Sequence, residues 1–316
     1  MATTTSITTT YAGESAGEYI GAALLSGTTL QDNGISIKQN IKFKEVIKKL
    51  ATGASLIQDG TCDFTPTSSV TTTERIIEPE TFQVNLKLCK ADFRSDWEAI
   101  EMGMSAFDDL PPNFSAFLIS HVLEQVATSN EASIWSGTDA TNGEFGGFIE
   151  LMTADGDVVD VVGVSIGGGG ITAANVVTEL GKVVDAIPEA LYGKEGLRIY
   201  VAQNVYRAYI RSLGGFGASG LGAAGVNAQG NNQSLDAVVF DGVRLFIANG
   251  LTSNFMIAAE MDNLWFGTGL LNDTNTVKVI DQEDIDGSQN VNIVVRYTAA
   301  VQYGLGAECV LYTPVA

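Results

Sequence analysis

One stretch of the chain alternates strictly between hydrophobic and polar residues. Over residues 82–88 the hydrophobic positions are Phe82, Val84, Leu86 and Leu88. Successive side chains of a strand point to opposite faces, so this alternation predicts a strand with one buried and one polar face. Other runs rich in β-branched and aromatic residues also predict strands, at LRIYVA, VRLFIA, FMIAAE, TVKVI, VNIVVRYTAAVQYGL and ECVLYT.

Three further stretches place hydrophobic residues at helical spacing. The longest, within PPNFSAFLISHVLEQVATSNEASIWSG, predicts an amphipathic helix at about residues 112–135 that ends before Gly137. Shorter helices are predicted at VVTELGKVVDAI, with Thr172 as its N-cap, and at NVYRAYIRSL, capped by Asn204. The ADGD sequence at Ala154–Asp157 predicts a hairpin turn. Because strands come in separate blocks with few regular βαβ units, the predicted class is α+β.

Three polar segments predict structure outside a compact core. Residues 1–37 are rich in Thr, Ser and Gly, which is typical of an extended arm that packs on something else. The Thr-rich TPTSSVTTTER segment predicts a hairpin that projects from the body of the protein. The segment GGFGASGLGAAGVNAQGNNQS predicts a long mobile loop.

The charge balance narrows the classes of partner. With 37 acidic and 17 basic side chains, the chain has a net charge of −20. A surface this negative repels nucleic-acid phosphates, so we do not expect a nucleic-acid clamp, and assembly of many copies should depend on salt or divalent cations. Five lysines nevertheless lie close together, and they are either a solvated face of a short helix or a contact for an acidic neighbour. They are Lys38, Lys42, Lys44, Lys48 and Lys49.

Cysteine usage and hydropathy bear on the compartment. Cys62, Cys89 and Cys309 are widely spaced without a C-x-x-C pair, so neither a disulfide framework nor a zinc site is predicted. No basic residue precedes Lys38, and no apolar run approaches the roughly 18 residues that cross a bilayer. We therefore expect a soluble protein that folds in a reducing cytoplasm and has no membrane partner.

Two glycine-containing motifs invite a chemical interpretation. GFGASG at Gly215–Gly220 matches the dinucleotide-binding pattern, but a predicted helix precedes it where that site needs a strand. GVSIG at Gly163–Gly167 matches the nucleophile elbow of serine hydrolases. Its Ser165 needs a base, and His121, the only histidine, comes before the serine, whereas the hydrolase order requires a later histidine. A serine hydrolase using Ser165 is kept only as an alternative from another class.

No motif predicts a metal or cofactor site. DQEDIDG at Asp281–Gly287 is acidic, but its oxygens do not fall at alternate positions and the bidentate glutamate of a calcium loop is missing. One histidine and three separated cysteines leave transition metals without ligands. The glycines at Gly163–Gly170 lack the Gly-Lys-Ser/Thr of a phosphate loop. We expect no cofactor and no metal, and the sequence gives no positive sign of an enzyme.

The order of elements resembles that of the major capsid proteins of tailed bacteriophages, the Hong Kong 97-type fold. CDFTPTSSVTTTERIIEPETFQVNLKLCKADF looks like the extended loop of that family running into the strand before its spine helix. NEASIWSG followed by GEFGGFIE is similar to the end of the spine helix. LRIYVAQNVYRAYIRSL and DGVRLFIANGLTSNFMIAAEMDNLWFG resemble elements of the axial domain. VNIVVRYTAAVQYGLGAECVLY looks like the closing strands of the peripheral domain.

The resemblance implies a domain organisation. It assigns residues 1–45 to an N-terminal arm and 46–88 to an extended β-hairpin loop. It assigns 89–170 and 281–316 to a peripheral domain, with the spine helix at about 112–135, and 171–280 to an axial domain.

The resemblance also implies a function. The family's members are structural proteins that self-assemble into pentamers and hexamers, forming the icosahedral shell around the double-stranded DNA of a tailed bacteriophage. The implied location is the virion capsid, assembled in the cytoplasm of the bacterial host. Because no long charged N-terminal segment of the scaffolding kind is present, a separate scaffolding protein is implied, with a portal and cement proteins as further partners. An encapsulin-like shell that holds cargo enzymes remains an alternative.

The projecting hairpin supplies candidate contacts between subunits. Its sequence is charged and strand-forming but has little local core, so we expect it to contact neighbouring copies. An Arg75→Glu change is expected to impair assembly while the monomer stays folded. The candidate contact residues are Thr71, Glu74, Arg75, Glu78, Lys42, Lys48 and Lys49.

Overall fold

The structure mixes strands and helices, as the predicted α+β class requires. It is a computed structural model. The residues it describes are 8–11, 28–32, 34–41, 43–52, 57, 59, 70–89, 112–213, 238–269 and 276–315.

The first six-stranded sheet is built around one long strand, β13 (Asn290–Tyr303). The predicted alternating strand, β5 (Glu80–Cys89), pairs with β13 antiparallel along its whole length. Val291, Ile293 and Val295 of β13 are buried, so one face of the sheet covers the core. The other strands of this sheet are β1 (Thr8–Tyr11), β2 (Ser36–Lys38), β11 (Leu264–Gly267) and β12 (Thr276–Asp281).

The second six-stranded sheet mixes parallel and antiparallel pairs. Its order is β6 (Val159–Ser165), β14 (Val310–Val315), β10 (Met256–Glu260), β7 (Leu197–Val201), β9 (Val243–Ile247) and β8 (Val239–Phe240). β6 runs parallel to β14 and β7 parallel to β9, whereas the other pairs are antiparallel.

The two sheets divide the chain differently from the predicted domain boundaries. β6 and β14 come from segments assigned to the peripheral domain, yet they share a sheet with β7, β9 and β10 of the predicted axial segment. β11 and most of β12 come from the axial segment but share a sheet with β13. Strand pairing thus joins segments far apart in sequence, and the domain boundaries at 170/171 and 280/281 remain a prediction.

The long predicted helix is present as α2 (Pro112–Ser136), where proline fits the first position because no helical N–H is needed there. The Ala154–Asp157 turn, predicted within a hairpin, instead connects a helix to β6. None of the described helices is long and apolar enough to cross a membrane. The other helices are α1 (Thr28–Gln31), α3 (Phe148–Ala154), α4 (Val176–Asp185), α5 (Gln203–Ser212) and α6 (Glu283–Asp286).

Both predicted helix caps have other roles. Thr172 lies in the turn before α4, and its backbone N–H donates to Asn175 Oδ1 at 2.7 Å. Asn204 lies inside α5, and its side-chain amide donates to Asn254 Oδ1 at 2.8 Å. Thr172 thus takes part in a local turn, whereas at Asn204 side-chain pairing across the fold replaces capping.

One hydrophobic core joins α2 to both sheets. At its centre the fully buried Trp135 of α2 lies 4.9 Å from the ring of Tyr200 on β7 and 5.4 Å from that of Phe148 on α3. Tyr200 in turn contacts Phe246 of β9 at 5.5 Å. Aromatic side chains bury large areas, so this cluster fixes the long helix against the second sheet.

The short helix considered for the lysine-rich segment is wrong, because Lys38 ends β2 and both Lys48 and Lys49 lie on a further strand. β3 (Glu45–Thr52) pairs antiparallel with β4 (Val70–Ile77) over eight residues. Helix propensity is a weak preference, and this long-range pairing with a Thr-rich strand overrides it.

Candidate assembly surface

The β3–β4 hairpin is a two-stranded sheet separate from both six-stranded sheets. Residues directly opposite each other in an antiparallel pair point to the same side, and the register places Arg75 opposite Ile47 and Glu74 opposite Lys48. The inner face is defined as the side with Ile47, Arg75 and Ile77. The outer face is the opposite side, with Val46, Lys48, Val70, Glu74 and Ile76.

The inner face packs against the body of the protein at the hairpin base. Ile77 is 1% exposed and forms a small hydrophobic cluster with Ile41 and with Ala300 of β13. A Cβ at Gly267 would lie 2.6 Å from Ile77 Cδ1, so glycine allows the base to approach β11 this closely. The hairpin base is therefore fixed to the first sheet.

A polar cluster adds a second attachment on the inner face. Arg75 Nε donates to the Gly304 carbonyl at 3.0 Å, and the guanidinium also bonds Asp155 Oδ2. The guanidinium lies over the Tyr303 ring, 4.3 Å from its centroid, and Tyr303 Oη donates to the same Asp155 oxygen at 2.7 Å. We call Arg75, Asp155, Tyr303 and the Gly304 carbonyl the Arg75 cluster. It joins the hairpin to the start of β6 and the end of β13.

The electrostatics of the Arg75 cluster favour the ionised pair. Burial by itself raises the pKa of Asp155, but hydrogen bonds from Tyr303 and the Asp157 backbone N–H, together with Arg75, outweigh it and hold the pKa below its ordinary value. Burial by itself lowers the pKa of Arg75, but the hydrogen bond to Asp155 outweighs burial. The pKa of Arg75 is therefore raised above its ordinary value. The pKa of Tyr303 is raised by burial and then by its bond to Asp155, so the phenol stays a donor.

Gly306 leaves the space that the Arg75 cluster occupies. A Cβ at this position would lie 2.7 Å from Asp155 Oδ2 and 3.3 Å from an Arg75 nitrogen. Any side chain would push the carboxylate away from the guanidinium.

The outer face is open to solvent in the single subunit. Val46 is 45% exposed, Ile76 43% and Val70 63%, and Lys48 and Glu74 are exposed as well. These side chains form a ribbon in which apolar residues flank a lysine and a glutamate. Such a surface is typical of a face that another protein covers.

The structure brings most of the predicted contact residues onto this hairpin. Thr71, Glu74 and Arg75 lie on β4, Lys48 and Lys49 lie on β3, and Glu78 directly follows β4. Lys42 and the side chains of Thr71 and Lys49 lie outside the described residues. Contact between these residues and a neighbouring subunit remains a prediction.

Two of the predicted charges already have partners in their own chain. Glu78 pairs with Lys44 at 2.6 Å at an exposed position. Arg75 is held in the Arg75 cluster, so an Arg75→Glu change would also loosen the hairpin base. That change therefore cannot isolate a contact with a neighbour.

Sequence reasoning missed Asp155, Tyr303 and Gly306. Their positions in the chain are 80 or more residues from Arg75, and no local pattern connects them. The pairing of β5 with β13 brings the segment after the hairpin beside the strand that ends at Tyr303, and Tyr303 in turn bonds Asp155.

The arrangement does not support the hydrolase alternative. Ser165 ends β6 at the edge of the second sheet. His121 lies on α2 and lines a groove with Phe82 of β5 and Tyr297 of β13, on the first sheet. The two residues thus lie against different sheets, and His121 is not placed to act as a base for Ser165.

The other motifs also give no chemical site within the described part of the chain. Residues 215–220, with the GFGASG motif, and Cys62 lie outside it. No group of three or more His, Cys, Asp or Glu side chains in the described ranges could hold a metal ion. Burial raises the pKa of Cys309 to about 12, so this thiol is a packed core residue rather than a nucleophile.

No protein-family model and no curated protein sequence matches the chain. Solved structures do match it along nearly its whole length. The capsid of a native GTA particle matches with a TM-score of 0.59 at 14% identity, covering 100% of this chain and 96% of that one. The capsid of Myoviridae phage XM1 matches with a TM-score of 0.57 at 12% identity, covering 92% of each chain.

A third match is a virus-like particle. A virus-like particle from Pyrococcus furiosus has a TM-score of 0.54 and 11% identity, covering 94% of this chain and 98% of that one. At these identities the likeness establishes fold and not activity. It confirms the predicted fold: the chain folds as the capsid proteins of tailed bacteriophages do.

Proposed function

We propose that this chain is a major capsid protein, which self-assembles into pentamers and hexamers and forms the icosahedral shell around the double-stranded DNA of a tailed bacteriophage. The observation that carries the proposal is the extent of the likeness to capsid structures, which reaches 100% of this chain and 96% of the GTA capsid protein. A likeness of that extent involves both sheets, not one shared motif. It favours a structural role over an enzymatic one.

The hairpin gives the proposal a physical basis. A two-stranded sheet is marginally stable in water on its own, and here one face is covered by the body while the other exposes Val46, Val70 and Ile76. In a closed homo-oligomer the same contact repeats in every copy, so one such ribbon per subunit would join many subunits.

Charge shapes the proposed shell and its partners. A net charge of −20 per copy makes subunits repel one another, so assembly should strengthen as salt or divalent cations screen that repulsion. The same charge would keep packaged DNA from adhering to the shell wall. We propose a separate scaffolding protein, a portal and cement proteins as partners, with assembly in the cytoplasm of the bacterial host.

A second candidate within the same fold is an encapsulin-like closed compartment that holds cargo proteins rather than DNA, and the matched structures include a virus-like particle as well as phage capsids. The two candidates differ in what the particle contains. They do not differ in how its subunits should associate.

The test is to express the chain with its neighbouring genes and measure particle size by light scattering, then the nuclease-protected contents. Uniform large particles that protect DNA support the capsid, and particles that hold protein without DNA support the compartment. A protein that stays a monomer or dimer under these conditions contradicts both. Ester hydrolysis that disappears in a Ser165→Ala variant would instead favour the hydrolase.

A further inference from the structure

We propose that Asn142 is a site of self-modification, at which the folded protein converts the side-chain amide into a carboxylate. The nucleophile is the backbone nitrogen of Gly143, water is the co-reactant, and no enzyme is needed. The proposal goes beyond the proposed function, because it concerns the single subunit and holds whether or not the chain forms a shell.

The reaction passes through a cyclic imide. The Gly143 nitrogen attacks Cγ of Asn142, which closes a succinimide ring and breaks the Cγ–Nδ2 bond. The proton that the nitrogen gives up goes to the leaving group, so ammonia is released. Water then opens the ring at either carbonyl, giving aspartate or isoaspartate, in which the main chain runs through the side chain. One water molecule is consumed for each ammonia released, and nothing is oxidised or reduced.

The sequence offers more than one place for this chemistry. Asn is followed by Gly at 33–34, 142–143 and 249–250. A following glycine favours ring closure, because it has no Cβ to obstruct the approach of its nitrogen and its backbone rotates with little steric cost. The pairs are alike in sequence, so only their surroundings in the fold can separate them.

The pair at 142–143 is free to react. Both residues are exposed, in the turn between α2 and α3. Gly143 has a φ of 90°, and a Cβ built on it would meet no atom within 4 Å. Within the described part of the chain, neither the Gly143 N–H nor the Asn142 side chain forms a hydrogen bond. The nitrogen can therefore reach the side chain without breaking any contact.

The glycines of the other two pairs are held in place. The N–H of the buried Gly34 donates to the Thr29 carbonyl at 2.8 Å, and a Cβ there would lie 2.6 Å from the same oxygen. A Cβ on Gly250 would lie 1.8 Å from the Glu131 carbonyl oxygen, and the Gly250 carbonyl accepts from Ser136 Oγ at 2.7 Å. At both places the backbone must open locally before the ring can form, and the free energy of that opening slows the reaction.

The product changes the charge of its surroundings. Residues 137–150 contain three acidic side chains and no basic one. Glu144 Oε2 accepts a hydrogen bond from the Thr138 N–H at 3.2 Å, which holds the turn. A carboxylate at Asn142, two positions away in the chain, repels that of Glu144 and should loosen the turn. Gly143 also lines the groove between α2 and β5, so isoaspartate would alter one wall of that groove.

The experiment follows the reaction in the purified full-length chain by mass spectrometry of its peptides. The chain is incubated at mildly alkaline pH, once folded and once unfolded in urea, and is then digested in acid, where the reaction is slow. In the folded protein the peptide with Asn142 should change from amide to acid at least roughly tenfold faster than those with Asn33 and Asn249, because the latter need local opening. In urea the three peptides should react at similar rates.

The Asn142→Gln variant is the matched control, since its longer side chain closes a ring far more slowly. It should abolish the change at position 142 and leave that at Asn249 as in the wild type. Equal rates for Asn142 and Asn249 in the folded protein would overturn the proposal. So would a product that contains aspartate but no isoaspartate, because direct hydrolysis of the amide does not involve the Gly143 nitrogen. Neither result depends on assembly, so failure here leaves the proposed function standing.

Discussion

The Arg75 cluster gives the sharpest test of how the hairpin is attached. Asp155→Asn keeps the size of the side chain but removes the charge that pairs with Arg75. The two side chains are only 27% and 19% exposed, so the pair lies between a surface ion pair and a buried one. Surface pairs contribute roughly 0–1 kcal/mol, and breaking a buried pair costs roughly 3–5 kcal/mol. We therefore expect Asp155→Asn to lower the free energy of unfolding by about 2 kcal/mol.

The assay is urea unfolding of the unassembled subunit at neutral pH, together with hydrogen exchange of the β3 and β4 amides. Asp160→Asn, at an exposed position on β6, is the matched control and should change the unfolding free energy little. The double variant Arg75→Met with Asp155→Asn should lose less than the sum of the single changes, because no charge is then left unpaired.

The pH dependence of the stability loss in Asp155→Asn shows whether charge causes that loss. The folded-state pKa of Asp155 lies below its ordinary value of 3.8, so its contribution is fully present above that value and is lost as the pH falls through the folded-state pKa. The difference between wild type and Asp155→Asn should therefore be largest near neutral pH and shrink in acid. A difference below about 0.5 kcal/mol at neutral pH, within the range of ordinary surface substitutions, would refute this reasoning. A difference that does not change with pH would show that charge is not its source.

Two substitutions and one pH titration test the packing of the core. Gly250→Ala would place a Cβ 1.8 Å from the Glu131 carbonyl oxygen, so thermal unfolding should show that the free energy of unfolding falls by about 3 kcal/mol. Gly156→Ala is the control and should leave the free energy of unfolding unchanged, because no atom lies within 4 Å of its Cβ. Thr29→Val removes the hydroxyl that donates to the buried Glu131 carboxylate, so urea unfolding should show that the free energy of unfolding falls by about 1–3 kcal/mol. Thr128→Val, at an exposed position, is the control and should not show this loss. Burial raises the pKa of five tyrosines, and that of Tyr297 reaches about 12. The free energy of unfolding should therefore fall above pH 10, because phenols of the unfolded chain ionise there while those of the folded protein do not. An ultraviolet absorbance titration in which these phenols ionise before the protein unfolds would contradict this. The five are Tyr200, Tyr209, Tyr297, Tyr303 and Tyr312.

Local periodicity predicted the elements whose structure depends on their own sequence. The helix expected at about 112–135 is Pro112–Ser136, and the apolar positions Val122 and Val126 are buried in it. The alternation at Phe82, Val84 and Leu88 gives the half-buried side of β5, although Leu86 is 40% exposed. Both patterns are written in neighbouring residues, so a sequence is sufficient to find them.

Features that depend on distant pairing were not predictable in this way. The lysine segment is a strand because β4 lies beside it, and no residue of β3 alone specifies that partner. Its charge and its place on the hairpin mark Arg75 as a candidate contact residue, but its partners Asp155 and Tyr303 lie 80 and 228 positions further along the chain. The placement of β6 and β14 side by side in the second sheet follows the same rule, since their parallel pairing joins two segments far apart in the chain.

Electron cryomicroscopy of the particles formed when the chain is expressed with its neighbouring genes tests the central claim most directly. The account predicts closed shells made of five- and six-membered rings, in which the outer face of each β3–β4 hairpin lies against another copy while Arg75 remains bonded to Asp155 of its own subunit. Particles in which that face points to solvent would contradict the proposed contact. A protein that forms no closed shell under these conditions would contradict the capsid function itself.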